Sequence, residues 1–350
     1  MPASEATTVR EVRSPPQDSR WCDAVNGALA DGKLDFARLD IPGHTLFIPV
    51  VRGSSGTTQA LSHRSLNLSD ALRDPALRLG TRPPVWDTLR VDRVRARSEL
   101  LAALPKSGIR YALSDAGASA FCDVSRRDAL KSLSKDTLRN VDRLKRRAQR
   151  HLGEVAIAPI ADASVAGVAF DRFVALENVG WKGTRGAGTS LLADESTQRF
   201  FREVMRRFQH DGCARIDFLT IGGRDAAAQL MVRAGATWFL LKMSYHPYFK
   251  EVGPGGILLK ALLEEMRDSP DILEVNLTTN PSWAARWHFQ TEPLYYVHIY
   301  GRTLKGQLGY AGRLVKEVAK QVRDVLHSRR ARRKSAAPPA HQAPQMVGAR

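Results

Sequence analysis

Cysteine is scarce in this sequence, and long apolar runs are missing from it. The three cysteines, Cys22, Cys122 and Cys213, are widely separated, and no two of them have the CxxC spacing of redox or zinc sites. A disulfide scaffold and a cysteine-ligated metal are therefore not expected, and reduced thiols are typical of the cytoplasm. No run approaches the roughly 18 apolar residues of a membrane span. The first residues also lack the apolar core of a signal peptide, so we expect a cytoplasmic protein.

Positive charge is what the sequence has in excess. Lys and Arg number 53 against 36 Asp and Glu, which gives a formal net charge of +17 in a chain of otherwise ordinary composition. Residues 123–150 carry +6 and residues 301–350 carry +10, so the remainder is nearly neutral. Strongly basic proteins bind nucleic acids, anionic membranes or acidic substrates. Because aromatic residues are not interleaved with these two clusters, nucleic acid is the least favoured of the three partners.

The predicted secondary structure is clearest from Ser134 onward, where Ser134 caps a helix that Gly153 ends. In the N-terminal third, strands are predicted at 45–51, 85–94 and 110–113. Later in the chain, short glycine turns join three predicted strands into an antiparallel meander at 214–221, 226–233 and 236–245. From residue 154 the predicted order is β-α-α-β-β-β-α-β-α-β.

A glycine-rich turn, Lys250-Glu251-Val252-Gly253-Pro254-Gly255-Gly256, lies between the last strand of the meander and the next helix. Glycines let a ligand approach the backbone closely, and the first turn of a helix has N–H groups without intrahelical partners. The helix dipole adds partial positive charge, so the turn suits a pyrophosphate. An ordinary turn without a ligand is the alternative, since the segment is neither a Walker loop nor a dinucleotide-binding fingerprint.

The position of this turn in the element order resembles the GNAT acyl-CoA transferase fold. The pyrophosphate loop of that family reads Arg/Gln-x-x-Gly-x-Gly/Ala, and Lys250-x-x-Gly253-x-Gly255 is similar to it, with Lys at the first position.

A second resemblance is narrower. The segment LENVGWKG at 176–183, followed by Gly188-Thr189, is similar to a signature of GNAT-like acetyltransferases of the CelD/BcsL type, associated with bacterial cellulose and exopolysaccharide synthesis. Ser134-Lys135 with Arg139, and the segment WDTLRVDRV at 86–94, also resemble that group. The resemblance covers roughly residues 84–300.

The resemblance implies an α+β protein with the GNAT acyl-CoA N-acyltransferase fold, a mixed and mostly antiparallel sheet flanked by helices. Such proteins also resemble Fem-type aminoacyl transferases, which have two GNAT-like halves, so we expect a shortened GNAT-like N-terminal half here. The predicted division is a disordered tail at 1–20, a degenerate or partial N-terminal half at 21–125, the acyltransferase domain at 126–303, a basic amphipathic helix at 304–334 and a disordered tail at 335–350.

Acetyl-CoA or another acyl-CoA is the co-substrate that the resemblance implies, without a metal. In that fold the edge of the third meander strand pairs with the pantetheine amides, and the glycine turn holds the pyrophosphate. The implied donor-binding residues are Lys242, Met243, Ser244, Lys250, Gly253, Gly255 and Gly256.

The acyl group would pass to an amine or hydroxyl of a small-molecule or saccharide acceptor. Glu177 and Asp217 are the candidate general bases, and Tyr245 is the candidate acid for the leaving thiolate. A helix-end ion pair, an outward strand carboxylate and a packed ring are the plainer interpretations of these three residues. The candidate acceptor contacts are Trp181, Lys182, Arg139 and Arg143.

The resemblance as a whole implies a GNAT family acyltransferase in bacterial exopolysaccharide or cell-envelope biosynthesis. Two alternatives stay open: an aminoacyl-tRNA-dependent Fem-like transferase, and a non-catalytic GNAT-derived adaptor for membranes or nucleic acid. The segment from Leu304 to about Arg330 predicts an amphipathic helix flanked by cations, which suits an anionic membrane or docking on its own domain. A peripheral position at the inner face of the membrane is therefore a second expectation for its location.

Overall fold

The computed structural model describes residues 14–30, 32–52, 58–63, 66–73, 85–126, 128–180, 182–183 and 186–335. Residues 1–13 and 336–350, which hold most of the two predicted tails, lie outside these ranges. Residues 14–20 of the predicted N-terminal tail include a short 3₁₀ helix at Pro15–Gln17 and the first turn of helix α1, Ser19–Ala28.

A small antiparallel sheet follows α1. Its strands are β1 (Leu34–Ile41), β2 (His44–Arg52) and β3 (Thr58–Ala60), in the order β1-β2-β3. Buried apolar side chains of β1 and β2 pack with those of β4 (Thr88–Arg95), of helix α2 (Glu99–Ala103) and of β11 (Gln290–Tyr300). This sheet therefore rests on one end of the larger sheet to which β4 and β11 belong.

The larger sheet joins eight of the described strands. Its remaining members are β5 (Arg110–Asp123), β6 (Val155–Ile160), β7 (Ala214–Ile221), β8 (Arg224–Ala234), β9 (Thr237–Tyr245) and β10 (Glu274–Asn276). The strand order is β4-β11-β5-β10-β9-β8-β7-β6, and β9–β10 is the parallel pair among them. The predicted mixed, mostly antiparallel sheet and its β7-β8-β9 meander are confirmed.

Strand β5 is longer than the sequence pattern predicts. The apolar run ends at Leu113, but the strand continues to Asp123 and lies between β11 and β10. Polar residues and Gly117, which has φ +91°, interrupt the apolar pattern after Leu113. The ladder with β11 extends from Arg110 to Phe121 and is what keeps this stretch extended.

Helices cover both faces of the larger sheet. Helices α4 (Ala166–Val179) and α5 (Glu195–Gln209) pack with α1 on one face, around Phe170, Phe200 and Phe218. Helices α3 (Lys135–His151) and α6 (Pro254–Arg267) pack on the other face. The predicted cap of α3 is confirmed, because the Ser134 Oγ accepts from the Thr137 N–H over 3.3 Å. Helix α7 (Leu304–Ser335) follows β11. Among the described residues, no helix is both long and apolar enough to span a bilayer.

Candidate active site

A cleft of about 640 Å³ opens beside strand β9. Its walls are α3, the end of β9, the glycine turn with the first residues of α6, and the 3₁₀ helix Ser282–Trp287. The lining residues fall into these four groups: Asp136, Thr137, Asn140, Val141 and Leu144; Met243 and Tyr245; Lys250, Gly253, Pro254, Gly255, Gly256 and Leu259; and Trp283, Arg286 and Trp287.

The cleft borders the place where β9 and β10 separate. Strand β10 pairs with β9 from Thr237 to Phe239, and in the described part of the chain no strand follows on that side to Tyr245. At the point of separation, the Thr278 hydroxyl donates to the Leu240 carbonyl oxygen over 3.3 Å. The register of β9 against β8 shifts at Leu241, which is the extra residue of a β-bulge. Bulges change the direction of side chains and are common next to active sites. The last residues of β9 therefore present an edge that a ligand can pair with.

The glycine turn has the backbone that an anion site needs. Gly253 lies in the left-handed region, with φ +57°, and precedes α6 without a side-chain cap. A Cβ at Gly255 would lie 3.2 Å from the Met243 Sδ, and one at Gly256 would lie 3.5 Å from Val141 Cγ2. Pro254 has no N–H, and the Gly256 N–H donates to the Gly253 carbonyl oxygen at 3.0 Å, so the Gly255 N–H and the dipole of α6 are what favour a phosphate at this end of the cleft.

A buried ion cluster lies on the opposite face of β9. The Glu177 carboxylate is fully buried, and its Oε1 accepts from Lys182 Nζ at 3.0 Å and from Lys242 Nζ at 3.4 Å. Its Oε2 accepts from the Leu191 N–H at 2.8 Å. Lys182 Nζ also donates to the Met243 carbonyl oxygen at 3.1 Å, so the loop after α4 is tied to β9.

The ionisation of this cluster follows from burial and charge. Burial alone would raise the pKa of Glu177, but Lys242 and Lys182 outweigh burial and lower it. Burial lowers the pKa of Lys242, and the nearby Glu177 only partly opposes that change. Glu177 is therefore a carboxylate held ionised, beside an ammonium group that loses its proton more readily than usual.

A second cavity, of about 260 Å³, lies on the same face as this cluster. Its lining combines the apolar Phe201, Leu241 and Ala193 and the small Gly188 with six polar residues: Asn67, Thr189, Ser190, Asp194, Thr197 and Lys242. Leu241 and Lys242 are neighbours in β9 of Met243, which lines the first cleft. The two cavities therefore approach the same strand edge from opposite faces of the sheet.

The structure brings most of the predicted donor-binding residues together. Five of the seven line the first cleft: Met243, Lys250, Gly253, Gly255 and Gly256. Tyr245, the candidate acid, lines it as well. The Lys242 side chain lies on the other face with Glu177, and Ser244 is buried near Gly180 at the end of α4. For these two residues, only their backbone shares the edge of β9.

The other predicted bases and acceptor contacts lie apart from the pair formed by Glu177 and Lys182. Asp217 binds Gln229 Nε2 at 2.9 Å and Arg215, lies outside the linings of both cavities, and has a pKa raised by burial. Arg139 and Arg143 are exposed on α3, where Arg143 Nη2 donates at 2.7 Å to the Oδ1 of Asn140, a lining residue of the first cleft. Trp181 lies outside the described residues.

Several lining residues of the two cavities were not predicted from the sequence. Arg286 and its two tryptophan neighbours belong to a short helix with no ligand motif, although the sequence WAARW is a compact aromatic and cationic pattern. Asn67 comes from the N-terminal third and lines the second cavity, more than 100 residues away in sequence from the other lining residues. No cluster of His, Cys, Asp or Glu suited to a metal ion occurs in the ranges that the structure covers.

Comparison with known proteins assigns the fold. Residues 135–281 match a family model described as an acetyltransferase (GNAT) domain. FemX superposes with a TM-score of 0.56 at 10% identity, over 88% of this chain and 97% of that chain. A conserved protein of unknown function from Bacteroides thetaiotaomicron VPI-5482 superposes with a TM-score of 0.52 at 11% identity, over 86% and 98% of the two chains.

These similarities concern the fold, because the sequence identities are low. L-PGS from Bacillus licheniformis has a TM-score of 0.48 at 12% identity, over 85% of this chain and 97% of that chain. No curated protein sequence matches the chain. The chain contains a GNAT domain, and the predicted α+β fold class is confirmed.

Proposed function

We propose that the protein is an acyltransferase that moves an acyl group from acyl-CoA to an amine or hydroxyl. The observation that carries this proposal is the cleft beside β9, which joins an unpaired strand edge to the uncapped N-terminus of α6. Acyl-CoA has amide groups that suit such an edge and a pyrophosphate that suits such a helix end.

The donor would lie with its phosphates at Gly255 and Gly256 and its thioester near the bulge at Leu241. Lys250 and Arg286 line the cleft and supply positive charge for the phosphates. Pantetheine would extend along the backbone of β9 between these two ends. Holding both reactants in place contributes up to about 7–11 kcal/mol in well-oriented systems.

The acceptor would reach the thioester from the second cavity. Its nitrogen or oxygen attacks the carbonyl carbon, the C–S bond breaks, and the acceptor loses a proton. Lys242 lines this cavity, and its lowered pKa makes the neutral amine easier to reach, so we assign that neutral form to contact the acceptor and receive the proton.

Two of the predicted catalytic residues are compatible with the role assigned to Lys242. Because both Glu177 oxygens are already bonded, Glu177 would act through Lys242 as a positioning residue. Tyr245 lines the donor cleft, where its hydroxyl suits the return of a proton to the leaving thiolate. Asp217 stays a weaker candidate for the base, because Arg215 and Gln229 engage it away from both cavities.

The biological setting is proposed from the sequence resemblance. The WKG segment and the flanking motifs resemble CelD/BcsL-type acetyltransferases, so the acceptor would belong to bacterial exopolysaccharide or cell-envelope synthesis. The superposition on FemX favours a second candidate, a Fem-like transferase that uses aminoacyl-tRNA. That enzyme would consume aminoacyl-tRNA and would be indifferent to CoA.

Ligand binding tests the donor assignment. A ligand present at 100 times its Kd stabilises a protein by about 2.7 kcal/mol, so acetyl-CoA and CoA should raise the unfolding temperature. Gly256→Glu puts a carboxylate at the proposed phosphate position and should abolish this stabilisation. Gly167→Glu is the matched control, because a Cβ at Gly167 meets open space in α4.

Turnover is then measured by release of free thiol from acetyl-CoA with candidate sugars and amines. Stabilisation by CoA that Gly256→Glu removes and Gly167→Glu retains would support the proposal. If neither ligand stabilises the wild-type protein and aminoacyl-tRNA is consumed, the Fem-like candidate replaces it.

A further inference from the structure

Helix α7 leaves an apolar row of side chains in solvent. Leu304, Leu308 and Val315 are 79%, 64% and 68% exposed. Ala311 and Ala319 are exposed as well, and the five residues stand at i, i+4, i+7, i+11 and i+15, which is one face of a helix. We call these five residues the apolar row.

The opposite side of α7 is the one that holds the helix to the domain. Gln307 Nε2 donates to the Gly301 carbonyl oxygen at 2.7 Å, and the Tyr310 ring lies 5.3 Å from that of Tyr300. Gly306 is buried against the backbone of Asp87. Docking of α7 on its own domain therefore uses this side and leaves the apolar row uncovered.

A row of cations runs alongside the apolar row. Lys305, Lys316 and Arg323 are exposed and stand at i, i+11 and i+18, so they share one line next to the apolar row. The sequence of α7 holds ten Lys or Arg and two Asp or Glu, a net charge of +8. The Glu317 carboxylate pairs with Arg313 at 3.0 Å, and the Arg313 side chain is mostly covered.

We propose that this face of α7 docks on an anionic lipid membrane, with the apolar row in the acyl boundary and the cations against the headgroups. Helices with an apolar face and a flanking line of Lys and Arg lie in the membrane interface in this way. Self-association fits poorly, because a two-fold dimer would set this cationic face against its own copy. The proposal is independent of the proposed reaction, since it uses no residue of the two cavities.

Vesicle flotation of the full chain tests the proposal. The wild-type protein should float with vesicles of phosphatidylcholine and phosphatidylglycerol and stay unbound with phosphatidylcholine alone. The double variant Leu308→Glu/Val315→Glu should lower the bound fraction at least about tenfold, and Lys316→Glu/Arg323→Glu should do the same. All four positions are exposed, so unchanged thermal unfolding should confirm that the variants fold.

Matched controls separate this face from general basicity and general apolarity. Arg147→Glu/Arg150→Glu makes an equal charge change on α3, and Val168→Glu alters a valine that is 74% exposed on α4. Both controls should float like the wild-type protein. The proposal is overturned if the wild-type protein does not bind anionic vesicles, or if the α3 double variant loses binding as fully as the α7 variants. It is also overturned if light scattering shows a dimer that Leu308→Glu/Val315→Glu dissociates while flotation is unchanged.

Discussion

The Thr278 hydroxyl donates a hydrogen bond to the Leu240 carbonyl oxygen over 3.3 Å, at the point where β10 leaves β9. Thr278 has φ +59°, in the left-handed region, where a β-branched residue is strained. Asn67 also donates to the Thr278 hydroxyl, at 3.2 Å. A strained residue thus lies where β10 separates from β9, and hydrogen bonds with Leu240 and Asn67 hold it there.

Thr278→Val is expected to lower both stability and acyl-CoA affinity. The variant keeps the branched shape but leaves the Leu240 carbonyl without its donor, which costs about 1–3 kcal/mol for a buried group. Thr278→Ser is the control, because it retains the hydroxyl and should bind acyl-CoA like the wild-type protein. Urea unfolding and titration calorimetry measure the two quantities. If the valine variant matches wild type in both, the hydrogen bond contributes neither to stability nor to acyl-CoA binding.

Glu177→Gln is expected to destabilise the protein more than Lys242→Met. The first change leaves two largely buried ammonium groups without the carboxylate that they share, and breaking such a buried cluster costs about 3–5 kcal/mol. The second change leaves Glu177 with Lys182 and the Leu191 N–H, so its cost should be smaller. Chemical denaturation at neutral pH compares them. The reverse order would show that Glu177 does not organise the cluster.

Asp70 should make stability fall as the pH rises from about 4 to about 6. Burial raises the pKa of Asp70 to about 6, although Ser98, Ala71 and Ser14 donate to its carboxylate. Since the folded-state pKa lies above the unfolded value, its contribution is complete below the unfolded pKa and disappears as the pH passes through the folded one. Asp70→Asn should therefore flatten this part of the profile of unfolding free energy against pH. If the slope of unfolding free energy against pH is unchanged in the variant, titrating groups other than Asp70 cause it.

Arg286→Gln should weaken CoA binding about tenfold at low salt, because a charge-assisted contact to phosphate is lost. The loss should shrink as ionic strength rises and screening grows. Arg302→Gln changes an exposed arginine that does not line the cleft and should have no effect. Calorimetric titration with CoA at two salt concentrations measures both variants. An equal loss in both would mean that overall charge, and not the position of Arg286, attracts the ligand.

Local patterns were enough to predict much of the domain. The capped helix that begins after Ser134, the glycine-linked meander and the glycine turn before α6 all depend on residues close in sequence, and the structure has each of them. Caps, tight turns and left-handed glycines act over a few residues, so a sequence read alone shows them. The face of the sheet on which a strand side chain lies depends less on residues close in sequence. The bulge at Leu241 shifts the alternation, so that the neighbours Leu241 and Lys242 both line the second cavity.

Tertiary structure decided what surrounds the candidate site. Glu177 meets Lys242 across 65 residues, and Asn67 reaches the second cavity from the N-terminal third. Strand β5 extends to Asp123 because β11 and β10 pair with it, and its own apolar pattern ends ten residues earlier. The sequence by itself determined the helix after Ser134, the meander and the glycine turn, because short-range backbone preferences act within each segment. The pairing of distant strands and the burial of charge against charge depend on packing between segments, and only the folded chain supplies it.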